Sequence, residues 1–156
     1  MSVTGYLLDA NHAHAWERGE SNFIKRYENV HPLSLVRVCT ITLGEMESGF
    51  RMTADQDPAR RSQCRAFMDR ELRKFALDVT VQTSLAYADI MERIWNKHKP
   101  QKGVKTERHL VDKGVDINDV WIVAVALERG FTLLTTDSMA VIRDVVSDVQ
   151  FENWTV

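Results

Sequence analysis

The 156 residues predict an α/β fold built on a parallel sheet. Three observations carry that expectation. Short apolar runs of strand length recur at residues 5–8, 35–39, 132–136 and 149–154. Helix-length segments separate them, and strands that alternate with helices pair in parallel through crossovers. The runs are continuous rather than alternating, as in strands covered on both faces. The length fits one domain, residues 1–156, large enough to bury a core. A content of 44% hydrophobic and 27% charged residues is ordinary for a globular chain.

Gly5-Tyr6-Leu7-Leu8 reads as a buried strand that ends at Asp9. Residues 10–27 read as two short helices broken near Gly19-Glu20-Ser21. Pro32 precedes the strand at 35–39, and a helix follows over 40–50 with Ile41, Met46 and Phe50 apolar. Pro58 opens a longer helix. Along it Cys64, Phe67, Met68, Leu72 and Phe75 keep the three-and-four spacing of a buried stripe. Residues 77–79 form a short extended piece. A helix from near Thr83 then places Tyr87, Ile90, Met91, Ile94 and Trp95 on one face. The segment 97–105 contains Pro100 and Gly103 and is expected to be a loop. Residues 120–127 are apolar on all sides, so their helix should be central, with Gly130 as its C-cap. The strand at 132–136, a short helix over 138–145 and the strand at 149–154 complete the chain.

Several function classes are disfavoured. No apolar run reaches the length of about 18 residues that spans a membrane. The start, MSVTGYLLDA, has neither the basic region nor the long apolar region of a signal peptide. Cys39 and Cys64 are expected to be buried, reduced thiols, which suits a cytoplasmic protein. No zinc-site spacing occurs. A net charge of -2 gives no global nucleic-acid signal. Locally, Arg93, Lys97, Lys99, Lys102, Lys105 and Arg108 lie close together, opposed mainly by Glu92 and Glu107. That segment reads either as a solvated loop or as an RNA-contacting patch.

The acids form a pattern. Asp9 and Asp137 each follow a short apolar strand, at the carboxyl edge where open α/β sheets bind ligands. Glu45 falls early in the helix after the second strand, and Asp119 starts the buried helix. Singly, each has an ordinary explanation. Asp119 would complement the helix dipole with Asn118 as cap, Asp137 would cap the next helix, and Glu45 would be a solvated helix acid. Together they could converge on one rim. Clustered carboxylates repel unless a cation intervenes. Oxygen-only ligands suit Mg²⁺ or Mn²⁺, and that chemistry fits metal-assisted phosphodiester hydrolysis.

The stretches YLLDANHAHAW, TITLGEMESGF, INDVWIVAVALERGFTLLTTD and VQFENW, in that order from Tyr6 to Trp154, resemble the successive motifs of a PIN domain. More narrowly, they resemble the VapC-type toxins of bacterial toxin–antitoxin pairs. The resemblance implies a three-layer α/β/α domain with a central parallel sheet. It implies a Mg²⁺- (or Mn²⁺-) dependent endoribonuclease of a type II module, which hydrolyses RNA with a metal-activated water. It also implies a cognate antitoxin and a homodimer. The family's four acids fall on Asp9, Glu45, Asp119 and Asp137, which would be both metal ligands and catalytic residues. Met46 and Gly49 hold the positions that follow Glu45 in the family motif. Asn11 and Thr135 fall on supporting positions, and Asp116 is a candidate supporting contact. Glu47 lies nearly on the opposite helix face and is expected to be solvated. The chain departs from many relatives after the fourth acid. It reads Asp137-Ser138-Met139-Ala140 where they carry a second Asp and then Phe.

His12 and His14 are expected on the surface of the first helix, with contact to RNA or a partner as the alternative. Trp16, Phe23 and Tyr27 read as core or as dimer surface, and the first two helices are a candidate wall for an antitoxin's apolar segment. Two rival functions stand beside the nuclease. A haloacid-dehalogenase-like phosphatase would need a second Asp two residues after the nucleophile, where this chain has Asn11. A non-catalytic PIN-like scaffold that binds RNA or protein would not need all four acids.

Overall fold

The computed structural model describes residues 4–53, 57–99, 102–103 and 106–156. Four strands form one sheet: β1 (Gly5–Leu8), β2 (Leu35–Arg37), β3 (Thr132–Leu134) and β4 (Phe151–Glu152). All are parallel, in the order β2-β1-β3-β4. The described helices are α1 (Ala10–Glu17), α2 (Ser21–Glu28), α3 (Thr40–Met52), α4 (Pro58–Phe67), α5 (Val81–Lys97), α6 (Thr106–Asp112), α7 (Ile117–Arg129) and α8 (Ala140–Arg143).

Side chains alternate across a strand, and the register exploits this. Leu7 lies opposite Leu133, and Leu8 opposite Leu134. Leu7 and Leu133 enter a core with Ile90 and Ile94 of α5, residues 122–126 of α7, and Ile142 of α8. Leu8 and Leu134 enter a second core with Ala13 of α1, Phe23 of α2, Met46 of α3, Phe67 of α4 and Trp154. The sheet is thus the middle layer of an α/β/α sandwich.

The helix of α7 is buried as its composition demands, and it ends where Gly130 adopts φ 65° and donates its N–H to Ala126 and Leu127. Only glycine takes that left-handed cap without a steric cost. The start of α5 is fixed to the same end of α7. Thr80 and Thr83 form a reciprocal cap, and both hydroxyls donate to the Glu128 carboxylate.

Several boundaries differ from the sequence expectation. The second strand stops at Arg37, and Cys39 makes a single parallel bridge to Leu77. The helix expected over 138–145 shortens to Ala140–Arg143, because Met139 before it has φ 42°. The last strand keeps only Phe151–Glu152, since the Asn153 side chain accepts the Thr155 N–H and turns the chain. The helix from Pro58 passes into a π turn at Met68–Leu72 and a 3₁₀ turn at Arg73–Phe75. That change of pitch rotates Phe75 out of the stripe, and it is 50% exposed beneath the Arg37 guanidinium. Helix α5 begins two residues before Thr83, and α6 was not expected at all. Cys39 and Cys64 are buried free thiols. Among the described residues no helix is long and apolar enough to cross a membrane.

Candidate metal centre

From β1 the chain crosses to β2 on one side, while β3 connects to β4 on the other. The carboxyl ends of β1 and β3 therefore flank a topological switch point, the usual ligand crevice of such sheets. Asp9 stands there. Its N–H donates to Leu134 O at 3.0 Å, and its Oδ1 caps α1 by accepting the His12 N–H at 2.8 Å. The residue is only 5% exposed, and its Oδ2 has no hydrogen-bond partner.

The loop after β3 is shaped by Thr135. Its N–H donates to Glu152 O, and its hydroxyl accepts the Asp137 N–H at 3.0 Å. Asn11 donates its side-chain amide to the Thr136 hydroxyl at 3.0 Å, which ties the start of α1 to that loop. Arg143 donates to the Asp137 carbonyl.

The start of α7 supplies the remaining acids. Asp116, not Asn118, is the N-cap; it accepts the Asn118 N–H at 2.8 Å. The Asn118 side chain is thereby free to donate to Glu45 Oε1 at 3.0 Å, which joins α3 to α7. Sequence reasoning gave Asn118 no place in the site. Its signal was a polar residue in the first turn of an otherwise apolar helix. Asp119, one residue later, is half-buried.

These acids sense one another. Burial first, then the charges of Asp116, Asp137, Glu45 and Asp9, push the Asp119 carboxyl up to about 6. Burial likewise raises Glu45, as do Asp116, Asp9 and Asp137, while the Asn118 amide opposes the rise. The four predicted acids and Asp116 thus share one electrostatic neighbourhood.

An unpartnered buried carboxylate oxygen is costly, and so are crowded acids. Both costs fall if a cation enters. All the donors are oxygens, which suits a hard divalent ion that keeps several waters. A tighter group of ligand atoms lies elsewhere among the described residues: His14, Glu17 and Cys64, within 4.8 Å of one another. There, however, Arg60 holds both oxygens of Glu17, and burial, then the charge of Arg18, lowers the pKa of His14 against the pull of Glu17. Glu17 is already neutralised by Arg60, so the unpaired acids at the sheet edge fit a cation better.

Other predicted residues lie differently. His12 is fully buried rather than on the helix surface, and His14 is half-buried against the edge of Phe50. Glu47 keeps some solvent exposure but also accepts from Arg51, Arg65 and Arg73, which hold its carboxyl below the usual range. In the basic segment, Arg93 pairs with Asp89 and Asp148, and Lys97 pairs with Asp144. Arg108 lies 3.7 Å from Asp112, Lys99 and Lys102 are exposed, and Lys105 lies outside the described residues. Phe23 is core. Trp16 and Tyr27 line a groove of about 440 Å³ with Val30, Pro32, Val36 and Phe75.

The sequence matches the PIN domain family over residues 6–145, and the chain belongs to that family. No curated protein matches it in sequence. Among solved structures, it is similar to VapBC-1 from nontypeable Haemophilus influenzae, with 18% identity and a TM-score of 0.69 over 98% of this chain and 100% of that one. It is also similar to VapBC2 from Rickettsia felis, solved with a DNA fragment from their promoter, with 18% identity and a TM-score of 0.67 over 97% and 99%. FitAcB from Neisseria gonorrhoeae is 16% identical, with a TM-score of 0.65 over 96% and 97%. At these identities the likeness is one of fold.

Proposed function

We propose that this PIN domain protein is a Mg²⁺- or Mn²⁺-dependent endoribonuclease, acting as the VapC-type toxin of a type II toxin–antitoxin module. One observation supports the reading. Asp9, Glu45, Asp119 and Asp137 are close enough for their charges to act on one another, and Asp9 Oδ2 is buried and unpartnered. These four side chains would hold the ion. When bound, it would neutralise charge on the phosphate oxygens and make a water nucleophilic. The chain's own residues supply the frame: Asn118 orients Glu45, Thr135 shapes the Asp137 loop, and Asn11 joins that loop to α1. Asp116, exposed beside them, would be free to contact substrate. Among the described residues of the basic segment, Lys99 and Lys102, with Arg108 beside Asp112, would meet the RNA backbone.

The structural relatives include VapBC-5 from Mycobacterium tuberculosis, described as a member of the VapBC family of toxin-antitoxin systems, which supports an antitoxin partner. The groove of Trp16, Tyr27 and Phe75, which Glu28, Arg37 and Glu71 also line, would take an antitoxin segment with an apolar anchor and charged flanks. The protein would work as a homodimer. Incubation of the purified chain with RNA and Mg²⁺ or Mn²⁺ tests the activity. Cleavage that disappears with EDTA and in Asp9→Asn is expected. RNA bound but uncut with either metal would overturn the nuclease reading.

A further inference from the structure

His12 has no solvent exposure, and both of its ring nitrogens are engaged. The Trp154 backbone N–H donates to Nε2 at 3.0 Å. A nitrogen that accepts carries no hydrogen, so the neutral ring keeps its hydrogen on Nδ1. Nδ1 lies 3.1 Å from Asp9 Oδ1 and donates to it. That same oxygen accepts the His12 N–H. Two donors from one residue therefore saturate Oδ1, while Oδ2 has none.

The far end of this chain of contacts is equally fixed. Trp154 is 2% exposed, packs against Tyr6 and Phe23, and donates its indole N–H to Glu152 at 2.7 Å. It also lies beyond residue 145, where the family match ends.

We infer that His12 is a positioning residue, clamped by Trp154, that locks the Asp9 carboxylate so that Oδ2 alone is presented to a divalent cation. The inference rests on reading the acids as a metal centre. Partners of this kind fix a ligand's orientation, and their loss typically costs about 10- to 100-fold in metal affinity.

Two substitutions separate this from a purely structural role. In His12→Asn the amide nitrogen stands near the place of Nδ1 and keeps a donor for Asp9, but it cannot reach Trp154. In His12→Gln the amide oxygen stands near the place of Nε2 and keeps the Trp154 contact, but Asp9 loses the ring donor. Binding of Mn²⁺ alone is measured by calorimetry, and melting temperature is measured in EDTA. His12→Gln should bind Mn²⁺ at least about 10-fold more weakly, and His12→Asn should stay closer to wild type even if it melts lower. Affinity that follows melting temperature across the pair would overturn the inference, as would wild-type affinity in His12→Gln. Imidazole ¹⁵N shifts of the wild-type protein give a check that needs no variant. They should show hydrogen on Nδ1 only, and an Nε2–H or doubly protonated ring would overturn the clamp. If neither wild type nor Asp9→Asn binds Mn²⁺, the metal centre falls and the inference with it. If wild type binds and only the His12 results fail, the metal centre stands.

Discussion

Asp119 holds its proton far above the range of a free aspartate, near 6, because partial burial withholds water and four neighbouring acids repel its charge. A cation entering the site must displace that proton. The apparent affinity for Mn²⁺ should therefore climb as pH rises toward about 6 and then level off, and Asp119→Asn should flatten the climb. Calorimetric titrations at several pH values check this; an affinity independent of pH in the wild type would contradict it. If the acids hold a cation as proposed, each should be hard to replace. Asp9→Asn, Glu45→Gln, Asp119→Asn and Asp137→Asn should each lower RNA cleavage by orders of magnitude, with the fold kept by circular dichroism. Glu47→Gln should keep cleavage. It should cost on the order of 1 kcal/mol of stability, since three partly exposed arginines lose a charged acceptor. Activity lost with Glu47 and kept with Glu45 would place the wrong face of α3 at the site.

At the scale of elements, close packing sets the limits. A Cβ added to Gly5 would lie 2.6 Å from Cγ of Phe131 and closer still to the ring edge, so β1 meets that ring only because residue 5 has no side chain. Gly5→Ala should destabilise the protein by about 1–3 kcal/mol, as overpacking does, and chemical denaturation measures it; unchanged stability would mean that Phe131 moves freely. Periodicity made the long elements legible. The buried helix over residues 120–127, its glycine cap and the apolar strand beside Asp9 stand where composition puts them, whereas β3 stops at Leu134, short of the expected 136, so Asp137 lies in the exposed loop beyond it. What periodicity does not encode is missing from such a reading. Met139 sits at positive φ without being glycine or asparagine, so nothing in the residue type announces the shortened α8. Helix α6 buries Leu110 while Val111 is 74% exposed, too little apolar pattern to mark a helix. The charges of Arg93 and Lys97 look free in sequence, because Asp144 and Asp148 are brought to them only by the packing of α5 against α8. The acids were legible as strand-end and helix-start residues. The buried tie from His12 to Trp154 was not, since it joins residues 142 apart.

For the whole molecule, the crowded acids are a source of instability that a bound cation would relieve. The folded value of Asp119 lies above its ordinary 3.8, so its contribution to stability is fully present below about 3.8 and is lost as pH rises through about 6. His14, lowered by burial, acts in the opposite sense over part of that range. Comparison with Asp119→Asn removes the His14 contribution. In EDTA, the gain in melting temperature of Asp119→Asn over wild type should widen between pH 4 and 7, and Mn²⁺ should close it by stabilising the wild type. A constant gap would mean that the acids do not strain the fold. The central claim is that these acids assemble a metal-dependent ribonuclease, and one measurement meets it most directly. Purified wild-type chain and Asp119→Asn are incubated with RNA, with Mn²⁺ or EDTA, and the products are resolved by length. Internal cuts with wild type and Mn²⁺, and none in the other three combinations, are the predicted result. Wild type that leaves RNA intact with Mn²⁺, or cuts it equally in EDTA, would contradict the account.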